Sequence, residues 1–151
     1  MLPPAPTGLE DRAPHAQLAK LHDLYAALLQ GSHLIGPVYS PRVAARVNDY
    51  DVKIAKAKGE HVWHVHDATD EFFQVLDGQL EISLRDADGI ETTVALRQGD
   101  VFVVPKGLMH KPSSPGCSVL MFEPSGTSGT GDQHEGEIPA HVDITTGHEL
   151  T

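Results

Sequence analysis

From Gly36-Pro37 onward the chain carries its apolar residues in short runs broken by turn formers, and no helix-length apolar stripe follows that break. Runs of this kind bury alternate side chains against one face, so the bulk of the chain is expected to be β. Strands are expected near residues 43–47, 52–57, 61–66, 71–76, 79–85, 91–96, 101–104, 109–112 and 118–123. Leu80, Ile82 and Leu84 alternate with Glu81, Ser83 and Arg85, which puts one face of that strand in a core and the other in water. Asp77-Gly78 reads as a hairpin turn between two strands, and Asp88-Gly89 and Gly99-Asp100 punctuate the later ones. Short strands at this spacing suggest a sandwich or barrel, and 151 residues suffice for one substantial core.

The flanks differ in character. Residues 1–13 hold Pro3, Pro4 and Pro6 with no hydrophobic period and read as a flexible arm. Over residues 14–30, Leu18, Leu21, Leu24, Tyr25, Leu28 and Leu29 recur at three- and four-residue steps. Pro14 suits a first helical turn and Gly31 a stop, so an N-terminal amphipathic helix is expected, with a linker to residue 36. The β domain is expected over 37–124, and the Gly/Ser-rich stretch 125–151 as a tail, partly ordered at best.

Charge narrows the partners. Eleven Lys and Arg stand against 21 Asp and Glu, a net charge of -10, whereas nucleic acid and anionic membranes demand a basic face. Cys117 is the only cysteine, there is no basic-then-apolar leader, and no apolar run approaches membrane-spanning length. A cytoplasmic protein with a small-molecule ligand is expected, and Cys117 reads as a small core or strand-end residue.

The chemistry concentrates between Gly59 and Gly78. His64 and His66 are two apart, so in a strand they share a face about 6.6 Å from each other and can converge on one ion. Glu71 opens the next apolar run and can add an oxygen ligand, and His110, just past the Pro105-Lys106-Gly107 turn, is the best candidate for a fourth. Three imidazoles and a carboxylate suit Mn, Fe, Ni, Co or Zn. By strand parity His61 points away from the pair, as do Trp63 and Val65. Trp63 then seals a contact with the N-terminal helix or with a second subunit. His15, His22, His33, His134, His141 and His148 read as solvated, and Lys106 as a solvated turn residue. Tyr50 and the lysines of the run from Asp51 to Lys58 reach the mouth of the site or lie outside it.

Gly59, His64, His66, Glu71 and Gly78, followed by Gly99, Pro105, Gly107 and His110, resemble the two motifs of the cupin superfamily, specifically its small single-domain members. Four residues, where five are commoner, separate Gly59 from His64, and Ser114 stands where many members have asparagine. The resemblance spans about residues 47–123. It implies a cupin jelly-roll β-barrel, with the N-terminal helix outside it, a divalent metal inside held by His64, His66, Glu71 and His110, and commonly a homodimer. Two functions fit: a metalloenzyme of isomerase, lyase or dioxygenase type acting on a small polar or anionic substrate, or a non-catalytic small-molecule binding or sensing module. No residue of the sequence stands out as a general base.

Overall fold

The computed structural model describes residues 37–149. The expected N-terminal arm and helix lie outside the described residues. Within them the chain is all strand and turn: β1 (Arg42–Val47), β2 (Tyr50–Glu60), β3 (His64–Val65), β4 (Glu71–Arg85), β5 (Glu91–Arg97), β6 (Val101–Val104), β7 (Met109–Pro124), β8 (Gln133–His134) and β9 (His148–Glu149). Among the described residues, no helix is long and apolar enough to cross a membrane. The strands form one sheet in the order β5-β4-β7-β2-β1-β9, with β6 on β4, β3 on β7 and β8 on β3.

The long strands β4 and β7 organise it, and they correct the expected Asp77-Gly78 hairpin. Both runs flanking Asp77-Gly78 pair with β7, from Phe72↔Phe122 to Arg85↔Met109, so they continue one strand and cannot fold back on each other. The register shifts on either side of this dipeptide make it a bulge. The same φ > 0 freedom that serves a turn serves the bulge: Gly78 has φ 73°, and a Cβ there would stand 2.2 Å from Gly116 O.

The bulge also switches the pleat. Glu71, Phe73 and Val75 are buried at odd positions before it, Leu80 and Ile82 at even positions after it. β7 makes the matching switch across Pro115-Gly116, from buried His110, Pro112 and Ser114 to Cys117, Val119, Met121 and Glu123. Ser114 Oγ fixes that corner, donating to Gln79 O at 2.6 Å and accepting from Gly116 N at 2.9 Å. Both halves of each strand thereby aim their apolar side at one core. Val75 and Ile82 are fully enclosed there, and each contributes roughly 1.5–3 kcal/mol by burial. Cys117 belongs to this core.

The segment beyond Pro124 departs from the loosely ordered tail expected of its composition. It runs back over the sheet: β8 pairs with β3, β9 with β1, and Val142 enters the core. Its glycines serve close approach, since a Cβ at Gly131 would lie 2.5 Å from Val65 O.

Candidate metal centre

His64 sits on β3, His66 just after it, Glu71 at the first position of β4 and His110 at the second of β7. His64 and His110 are direct cross-strand partners. The loop between His66 and Glu71 is pinned by three bonds: Gly107 N donates to His66 O at 2.8 Å, Lys106 N to Asp70 Oδ1 at 2.9 Å, and Asp67 N to Asp132 Oδ2 at 2.7 Å. The first two stitch the Pro105-Lys106-Gly107 turn directly onto the histidine clamp, and the third reaches it from the C-terminal segment.

All four side chains are buried, and their ligand atoms lie within 4.8 Å of one another. Glu71 Oε2 stands 2.8 Å from His110 Nε2, 2.9 Å from His66 Nε2 and 3.9 Å from His64 Nε2. His64 Nδ1 donates to Val62 O at 2.7 Å and His110 Nδ1 to Leu108 O at 2.9 Å. A carbonyl only accepts, so these bonds put the proton on Nδ1 and turn each Nε2 inward.

Burial pushes the His64 imidazole down to about pKa 3. For Glu71, burial acts upward but contact with His110 and His66 outweighs it and holds the carboxyl well below its usual range. His66 is buried too, yet the Glu71 carboxylate raises it. Among the described residues, His64 Nε2 and His66 Nε2 have no hydrogen-bond partner: the short His66–Glu71 separation is not aligned as a bond. Orphaned buried nitrogens cost about 1–3 kcal/mol each. His110 Nε2 donates to Glu71 Oε2 at 2.8 Å. Once the inward nitrogens give up their protons, three imidazoles gathered around an ionised carboxylate are a donor set that can hold a divalent transition metal, so the residues fit the expected ion.

Beside the cluster lies a cavity of about 40 Å³, which His64 and Glu71 help to line. Its walls are Ala55, Ala57, Phe73, Leu80, Val119 and Met121. His61 lines it too, which overturns the parity argument that turned it away. Residues 61–63 are not strand, so alternation does not govern them, and the His61 ring packs 4.7 Å from that of His64 and 5.0 Å from that of Tyr39. Burial lowers it to about pKa 4.

Lys53 lies inside the sheet, its Nζ 2.8 Å from Glu123 Oε1 and 3.2 Å from Thr127 O, while Lys58 is exposed. Burial and the nearby Glu71 charge lift Glu123 to about pKa 7 against the pull of Lys53. Tyr50 stacks on Phe122 and Lys106 is exposed. Trp63 turns away from the cluster as expected and lies under two cations, Arg85 Cζ at 4.1 Å and Lys111 Nζ at 5.5 Å from its ring centre. His134, His141 and His148 are exposed and outside the cluster, and His15, His22 and His33 lie outside the described residues.

Comparison with known proteins agrees with the geometry. The Cupin domain family matches residues 50–123. The crystal structure of a cupin-2 domain containing protein from Shewanella frigidimarina is similar at 35% identity and a TM-score of 0.62, covering 74% of this chain and 99% of that one. YdbB of Bacillus subtilis is 39% identical over 70 residues, 46% of this chain and 58% of its own length. The 3-hydroxyanthranilate 3,4-dioxygenase of Burkholderia cenocepacia is 30% identical over 105 residues, 68% of this chain and 59% of its own length. The chain thus spans under two thirds of the length of these last two relatives.

Proposed function

The chain belongs to the cupin superfamily, and on that premise we propose that it is a metal-dependent enzyme of the dioxygenase kind, with a jelly-roll barrel holding iron at His64, His66, Glu71 and His110. Its substrate is a small organic molecule that presents two neighbouring oxygens. The observation that carries this reading is the pair of orphaned Nε2 atoms, of His64 and His66, beside ionised Glu71, with His64 and Glu71 lining an apolar cavity. Similarity to a protein named as a dioxygenase supports the reaction class.

His64, His66, Glu71 and His110 would hold the ion, and the ion when bound would supply the Lewis-acid and redox chemistry that the side chains lack. The chain's own residues prepare the rest. Val62 O and Leu108 O hold two imidazoles in the ligating tautomer. With one carboxylate among three neutral rings, the loaded centre keeps a net charge near +1 and favours an anionic or chelating oxygen ligand. Phe73, Leu80, Val119 and Met121 exclude water from the ligand's body, which strengthens every polar contact made inside.

The test is to load the protein anaerobically with Fe(II), measure bound metal, and follow oxygen consumption with catechols, enediols and 2-hydroxy acids. About one iron per chain with consumption that depends on both iron and chelator is expected. Binding without oxygen consumption favours the non-catalytic binding or sensing module. The same reading takes the protein as a homodimer, through the N-terminal helix or the outer surface around Trp63. Light scattering at micromolar concentration should give twice the 16.3 kDa chain mass, and a monomer with a solvent-exposed Trp63 sinks the assembly.

A further inference from the structure

The cavity beside the metal cluster has four polar side chains in its lining: Tyr39, His61, His64 and Glu71. Three are committed. Tyr39 Oη donates to Gly59 O at 2.6 Å, and His64 and Glu71 belong to the cluster. His61 is the fourth. Its backbone is fixed, with its N–H donating to Pro112 O at 2.9 Å, and its ring is clamped between those of Tyr39 and His64. Its Nδ1 faces Val62 O at 3.3 Å, a long contact, and Val62 O is better engaged by His64 at 2.7 Å. Among the described residues no hydrogen bond reaches Nε2, on the other side of the ring.

A single uncommitted polar group in an apolar wall makes a sharp filter. A ligand that carries only methyl groups there leaves it unpaired, and one that offers a hydroxyl or amine satisfies both partners. We propose that His61 is a specificity-determining residue: it hydrogen-bonds a second polar group of the ligand, displaced from the oxygens that chelate the metal, and so selects chelators bearing such a group over their apolar isosteres. This deepens the metal-centre reading and rests on it. The cavity's about 40 Å³ is room for a few waters, which limits that ligand to a handful of non-hydrogen atoms.

Glycerate and 2-hydroxybutyrate serve as probes, because both chelate through a 2-hydroxycarboxylate and they differ only by a hydroxyl in place of a methyl. Binding of each to the Ni(II)-loaded protein is measured by calorimetry after metal content is established for every variant. His61→Phe keeps a flat ring between Tyr39 and His64 without the hydrogen bond, and His61→Gln restores a polar group. The ratio of glycerate to 2-hydroxybutyrate affinity should fall about 3- to 10-fold in His61→Phe, the worth of one net hydrogen bond, and recover in part in His61→Gln. Bound metal should be the same in all three proteins. An unchanged ratio in His61→Phe, with metal retained and the fold intact by circular dichroism, overturns the proposal, as does failure of the loaded wild type to bind either acid. A wild type that takes up no nickel instead overturns the metal centre itself, which the metal assay identifies separately. If His61→Phe does not fold, the ratio in His61→Gln against His61→Leu decides: equal ratios overturn the assignment.

Discussion

Three ring nitrogens and one carboxylate oxygen meet in this protein, and two of the rings are set by backbone carbonyls, Val62 O and Leu108 O, which each accept a hydrogen bond from Nδ1 and leave Nε2 facing Glu71. Removing an outer partner of a metal ligand typically costs roughly 10–100-fold in affinity, so losing a ligand costs more. Glu71→Gln and His110→Ala should each lower metal affinity beyond about 100-fold while the far-ultraviolet dichroism stays that of a β protein, since the strands are held by an apolar core. Loss of the β signal would make the ion structural and remove the catalytic reading. The imidazoles also set the response to acid. His64 and His61 have folded pKa values near 3 and 4 against 6.5 unfolded, so the unfolded chain takes up protons that the folded one refuses. Their contribution is complete above pH 6.5 and is lost as pH falls toward 3, and depressed Glu71 acts in the same sense below the ordinary carboxyl value of 4.5. Raised His66 opposes them, as its contribution is present at low pH and lost as pH rises through its own pKa. So does Glu123, whose folded pKa near 7 against 4.5 favours the folded state as pH falls from 7 to 4.5. The shifts of the two depressed histidines together are larger than that of Glu123. Urea titrations of chelator-treated protein should therefore show the midpoint falling from pH 7 to pH 4, and a flat midpoint would refute the balance. The convergence of His64, His66, Glu71 and His110 was legible because spacing and residue type are written in the chain. His61 was not, because pleat parity presupposes a strand and the strand begins only at His64.

At the scale of the element, alternation located the strands well, and it erred where a strand changes face. Asp77-Gly78 carries the composition of a tight turn, and only the shared partner β7 distinguishes a bulge from a hairpin. In β2, Val52 and Ile54 look like the core set, yet Asp51, Lys53, Ala55 and Ala57 are the buried odd series. Ile54 is buried too, but outside the main core cluster. A buried Lys53 is unreadable from sequence because its tolerance depends on Glu123, 70 residues away. The bulge supplies a decisive substitution. At Gly78 an added methyl meets a positive φ of 73° and a backbone oxygen 2.2 Å away, so neither strain nor clash can be relieved by a side-chain rotation. Gly78→Ala should cost roughly 3 kcal/mol or more. Gly89→Ala, at φ 79° with nothing within 4 Å of its new Cβ, should cost about 1 kcal/mol. Equal unfolding midpoints for the two variants would mean that β4 does not cross β7 this closely.

For the molecule as a whole, the unanticipated feature is the C-terminal segment, whose Gly, Ser and acidic residues have the composition of a disordered tail. It earns its order through backbone bonds that composition does not report. Asp132 N and Glu135 N donate to Val65 O and Trp63 O, each at 2.9 Å, so β8 lies along the histidine clamp from Trp63 to Val65. Asp132 Oδ2 accepts from Asp67 N, fixing the turn between His66 and Glu71, and Thr127 O caps buried Lys53. Val142 adds a core side chain, worth roughly 2 kcal/mol by burial. The segment therefore braces the site more than it builds the sheet, because β2, β4 and β7 pair along their length without it. Deleting residues 125–151 should leave a β-rich protein with a lowered melting temperature and a disproportionate loss of metal affinity. Asp132→Ala in the full chain should reproduce part of the metal loss, on the order of 10-fold by analogy with outer partners of metal ligands, with little change in melting temperature. Metal titrations of the three proteins, each against its own melting curve, separate bracing from folding. If the truncated protein binds metal as tightly as the full chain, the segment does not brace the site. If it loses all β structure, the segment is part of the core fold.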